Sequence, residues 1–130
     1  MLSPSILNYI LFWFLKYILF YLIMMFVNKD STFVSPGIRN IEDLTYYIIV
    51  FSGLPITMAV LLTLPIHFIF KSNTLLVYYG LIVFILFGEY VLYTLLASPS
   101  NYLNGLLNAV VTIGTFYLLF YKNINLKLQE

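Results

Sequence analysis

Apolar residues fill four long stretches, at about residues 5–27, 44–70, 74–97 and 102–121, and short polar connections separate them. A hydrocarbon core about 30 Å thick takes roughly 20 apolar residues per helical crossing, so each stretch predicts one spanning helix. Only two charged residues, Lys16 and Glu89, fall inside the four. The expected fold is an all-α integral membrane protein, a four-transmembrane-helix bundle.

The polar breaks set the order of packing. Segment 1 ends at Asn28-Lys29-Asp30-Ser31, and the first connection then carries the turn signal Pro36-Gly37, followed by Arg39, Glu42 and Asp43. That turn divides the connection, and residues 38–44 are expected along the membrane interface. The two acids before Leu44 suit the positive end of the next helix dipole. Segment 2 is longer than one crossing needs and contains Pro55 and Pro65. A proline inside a helix removes one backbone hydrogen bond, so this helix is expected to be kinked, with tilt or kink absorbing its excess length. Lys71-Ser72-Asn73 and Ser98-Pro99-Ser100-Asn101 are tight connections, which makes segment 3 the antiparallel neighbour of both 2 and 4. Segment 1 has a longer tether and is expected to close the bundle against 3 or 4. Residues 122–130 read as a short polar tail.

Composition agrees with the pattern and removes several classes of function. The chain is 62% hydrophobic, 19% aromatic and 8% charged, against about 25% charged in a soluble domain. The longest stretch outside the spans, about 28–43, is too short to bury a core of its own, so one membrane domain over 1–130 is expected. A net charge of +1 offers no polybasic footprint for nucleic acid or anionic lipid. There is no cysteine, hence no disulfide or thiolate chemistry. The opening residues carry no Lys or Arg and no cleavage signal follows segment 1, which therefore reads as a retained helix. Three alanines among many Phe, Tyr, Ile, Leu and Asn suggest an AT-rich genome, bacterial or organellar.

Basic residues in short loops orient a membrane protein. Lys71, Lys122 and Lys127 share one face, and Lys29 and Arg39 the other. The bias places both termini on the cytoplasmic or matrix side, with a bacterial inner membrane as the expected location. Tyr46, Tyr47, Tyr102, Tyr117 and Tyr121 at segment ends fit an interfacial belt.

Lys16 and Glu89 are expensive inside a bilayer, and such residues usually face the bundle interior. Segments 1 and 3 run in the same direction, so the two differ in depth by about one turn, roughly 5 Å. A buried ion pair is the expected arrangement; a neutral, proton-exchanging Glu89 is the alternative. Gly80 and Gly88 offer a close approach to another helix. On segment 4, Asn101, Asn104, Gly105, Asn108, Ala109, Thr112 and Thr115 recur at three- and four-residue spacing and share one face. Gly105-x-x-x-Ala109 is a small-xxx-small match, so this stripe is the expected helix-packing or interaction face. His67 has no second ligand at helical spacing, so no metal site is expected. Asn8 reads as interfacial, and Phe12, Trp13 and Phe14 as lipid-facing or packing groups.

No cofactor motif and no paired catalytic groups occur, which disfavours an enzyme. The expected function is a non-enzymatic subunit, assembly factor or scaffold of a larger membrane complex, bound to other membrane proteins or to itself. One alternative is a small oligomeric transporter or channel using Glu89 and Lys16. The other is an oligomerising, membrane-permeabilising protein, holin-like or a defence effector, with segment 4 lining a pore. The two halves share no internal repeat, which weighs against an inverted-repeat transporter.

Overall fold

The computed structural model describes residues 4–29, 37–72 and 74–128. Asp30, Ser31, Pro36 and Asn73 of the polar connections lie outside the described residues. Ser5 opens the first helix by accepting the Asn8 amide on its hydroxyl at 3.4 Å, and α1 follows over Ile6–Asn28. Lys29 ends it in the left-handed conformation, φ 52°, and its amide donates back to the Met25 carbonyl. That bond closes the last turn in the way a glycine cap usually does.

Helix α2 spans Ile41–Lys71. Asn40 Oδ1 accepts the Asp43 amide at 2.7 Å, and this cap fixes the start at Ile41 instead of Leu44. Glu42 and Asp43 therefore occupy the first turn, where their charge suits the exposed N–H groups. Residues 41–44 are the opening turn of α2, not part of a separate interfacial strip. The helix continues without interruption through Pro55 and Pro65.

Helix α3 covers Leu75–Ala97 and α4 covers Tyr102–Leu128. The expected polar tail is thus helical as far as Leu128. Phe120 and Ile124, one turn apart, are both buried and hold this last part of α4 against the bundle. All four helices are long and apolar enough to cross a membrane.

The helices form an up-and-down ring. α1 packs against α2 and α4, and α3 packs against the same two, so α1 and α3 face each other across the middle. Segment 1 therefore closes the bundle against α4, as one of its two expected partners, and against α2. Aromatic side chains fill the core on both sides of its centre. Tyr9, Phe12, Phe70, Phe116 and Phe120 form one group, with ring centroids 5.1 to 6.1 Å apart. Tyr17, Phe20, Tyr21, Phe51 and Tyr93 form the other, at 4.7 to 6.3 Å. Rings at these separations combine large apolar burial with favourable edge and offset contacts. Phe12 and Trp13 lie in the core, whereas Asn8 is exposed.

Candidate functional site

Between the two aromatic groups lies a polar centre built from three helices. Lys16 comes from α1, Glu89 from α3, and Asn108 and Thr112 from α4. Lys16, Glu89 and Asn108 are each 0% exposed. On α1 the buried positions Phe12, Trp13, Lys16, Tyr17 and Phe20 follow the helical repeat, so Lys16 is carried inward by the same face that carries the rings. α2 supplies buried Met58, Leu62 and Ile66 and completes the core with apolar surface.

The lysine ammonium donates to Glu89 Oε1 and to Asn108 Oδ1. It also lies 3.7 Å from the centroid of the Tyr17 ring, a cation–π position. Glu89 Oε1 accepts further bonds from Asn108 Nδ2 at 3.1 Å and from the Tyr17 hydroxyl at 3.4 Å. The other oxygen, Oε2, accepts from the Thr112 hydroxyl at 2.5 Å. Asn108 thus uses both ends of its amide, accepting from the cation and donating to the anion. The charges cancel and both carboxylate oxygens accept hydrogen bonds, which are conditions that favour an ion pair in a low-dielectric interior.

The stripe on segment 4 separates into three parts. Asn108, Thr112 and Thr115 are buried inside the bundle, and the first two belong to the polar centre; Thr115 bonds to the Val111 carbonyl at 2.7 Å. Asn101 and Asn104 serve the turn before α4: Asn101 Oδ1 accepts the Leu103 amide at 3.1 Å, and Asn104 Nδ2 donates to the Ser98 hydroxyl at 3.1 Å. Gly105 marks a close approach of α3 and α4, where an added Cβ would lie 2.7 Å from Thr94 Oγ1 and 2.9 Å from the Tyr90 ring. Ala109 is half-buried. Gly88 meets Leu62 only at ordinary contact distance, 4.0 Å, and Gly80 has nothing within 4 Å, so neither is a close approach within the chain.

A cavity flanks the centre on each side. The smaller, about 200 Å³, is lined by Phe12, Ile66, Ile85 and Phe116 and reaches Thr112. The larger, about 730 Å³, is lined by Phe20, Tyr21, Phe51, Leu54 and Tyr93. Phe12 and Phe20 stand one turn before and one turn after Lys16; Ile85 and Tyr93 do the same around Glu89. The larger cavity lies between residues 46–57 of α2 and residues 93–97 of α3, away from where α2 ends and α3 begins. Gly105 draws α3 and α4 together near their connection, and the smaller cavity lies between their far ends. The Phe20 and Tyr93 rings, 5.2 Å apart and edge to face, stand between the larger cavity and the ion pair.

Sequence reasoning missed Tyr17, which contributes both a ring and a hydroxyl to the centre. Its position beside Lys16 was the available signal, but it is one of twelve tyrosines. His67 is half-buried, its ring edge to face with Tyr9 at 6.0 Å. Among the described residues no group of three His, Cys, Asp or Glu side chains is placed to hold a metal ion. No family model, curated protein or solved structure matches this chain.

Proposed function

We propose that this chain is a non-enzymatic, multi-pass integral membrane protein that moves protons, alone or with a solute, through the Lys16–Glu89 centre. The supporting observation is the placement of a fully buried ion pair between cavities that approach it from opposite ends of the bundle. An intramembrane carboxylate held this way exchanges a proton when either cavity admits water. Protonation removes its charge, leaves Lys16 without a counter-ion, and thereby favours rearrangement of α1 against α3 and α4. On this reading Pro55 and Pro65 bend α2 and give it the play such a rearrangement needs. The bias in loop charge supports both termini on the cytoplasmic side of a bacterial inner membrane, or the matrix side of an organellar one.

The test uses the purified chain in vesicles that contain a pH-sensitive dye, with a potassium diffusion potential as the driving force. Proton entry should exceed that of empty vesicles and should fall to their level with Glu89→Gln. Vesicles no faster than empty ones would overturn the reading.

A second reading is a subunit, assembly factor or scaffold of a larger membrane complex. Exposed Gly80 and Gly114 favour it, since each leaves room for the backbone of a partner helix. The stripe on segment 4 no longer contributes to that reading, because its central residues are used inside the bundle. The same assignment removes support for segment 4 as the lining of a pore between copies. Co-purification in mild detergent separates the two readings, with a stable heteromeric partner favouring the second.

A further inference from the structure

Five buried side-chain polar atoms find no partner within the protein among the described residues, and four of them belong to the α1–α2 pair. They are the Tyr9 hydroxyl and Trp13 Nε1 on α1, and Thr63 Oγ1 and His67 Nδ1 on α2. Tyr9 and Trp13 are fully buried and Thr63 nearly so. Within each helix the two residues are one turn apart. Because α1 and α2 run antiparallel and Tyr9 meets His67 ring to ring at 6.0 Å, Trp13 and Thr63 share the next layer inward. The next turn of α1 carries Lys16 and Tyr17, both in the polar centre.

Thr63 departs from its own kind. Thr45, Ser52 and Thr57 on α2, and Thr115 on α4, each donate to the carbonyl four residues earlier. Thr63 does not, and its hydroxyl is left for another acceptor or donor. Trp13 Nε1 is a donor only and needs an acceptor that no neighbouring side chain provides. Buried polar atoms without a protein partner are costly, and in folded proteins they are commonly satisfied by bound water.

We infer that a file of water lies between α1 and α2, leading from the end of the bundle that carries Lys71 past His67–Tyr9 and Thr63–Trp13 to Lys16. From Tyr9 to Lys16 the helix rises about 10 Å, which about three waters at hydrogen-bonding distance span. Each layer supplies the polar groups such a water needs: a hydroxyl and a ring nitrogen at the first, a hydroxyl and an indole N–H at the second. The file rests on the proton-moving reading for its purpose, as a route beside the smaller cavity by which protons reach the ion pair, but its existence is tested separately.

The chain has no cysteine, so each introduced one is the only thiol. Thr63→Cys and His67→Cys should react with silver ion added from the water phase on the Lys71 side. Leu64→Cys, on the exposed apolar surface of α2, should react slower by an order of magnitude or more. A Thr63→Cys thiol as unreactive as that of Leu64→Cys would overturn the file. The isosteric Thr63→Val gives a second readout: its melting temperature should fall if the hydroxyl holds water, and a rise would mean a dry contact and sink the inference. Thr63→Val and Trp13→Phe should also slow proton entry into vesicles several-fold. Thiol access in a chain that moves no protons would leave the file standing and remove the transport reading; proton movement without thiol access would do the reverse.

Discussion

Lys16 on α1 and Glu89 on α3 are bonded across the middle of the bundle, on the two helices that face each other through the core. A pair in that position ties together elements that no short loop holds in register. Asn108 and Thr112 extend the tie to α4. The polar centre thus joins three of the four helices by directed bonds, and its loss should affect the whole arrangement.

Lys16→Met and Glu89→Gln should each destabilise the protein by about 3–5 kcal/mol, since either leaves one partner buried and uncompensated. The double variant should recover part of that loss. Thermal or denaturant unfolding in detergent, read as a double-mutant cycle, measures the coupling. Strict additivity would mean that the two side chains act separately.

Gly105 is a tight point between α3 and α4. Gly105→Ala should cost about 1–3 kcal/mol, because the new Cβ displaces the Tyr90 ring and Thr94. Gly105→Leu should prevent the native α3–α4 contact altogether. Gly114→Ala is the matched control: nothing lies within 4 Å of the added atom, so it should be neutral or stabilise by up to about 1 kcal/mol through helix propensity. Equal effects at the two glycines would refute the close approach.

The hydrophobic pattern carried most of this fold, because burial in a helix of twenty or more apolar residues leaves few alternatives. Segment edges were legible only where a cap coincided with the end of the apolar run. At α2 the Asn40 cap precedes the run, and at α4 the helix continues into polar residues because Ile124 still reaches the core. Depth along the chain put Lys16 and Glu89 near one level, but it carries no information on azimuth. Whether the segment 4 stripe turns inward or outward therefore needed coordinates. Tyr17 and the α1–α2 polar atoms were unreadable for a related reason: twelve tyrosines and many hydroxyls look alike until their neighbours are known.

The start of α2 offers a local test of helix capping. Asn40→Ala removes the acceptor of the Asp43 amide and should cost about 1 kcal/mol. Asn40→Asp keeps the acceptor and should retain most of the stability. Thermal unfolding of the two variants side by side distinguishes a cap from a side chain that merely occupies the position.

Four crossings return a chain to its starting side, so residue 130 and the connection near Gly37 should lie on opposite faces of the membrane. The proposed orientation adds that the face of Lys71, Lys122 and Lys127 is the inner one. Reporter fusions active on only one side of the membrane, placed after residue 130 and at Gly37, should give opposite signals, with the Gly37 fusion reporting the outer face. Replacing Lys71 and Lys122 by Gln should weaken that preference and yield a mixed population, because Lys29 and Arg39 would then outnumber the remaining inner charge, Lys127. Identical signals from the two fusion sites would remove one crossing.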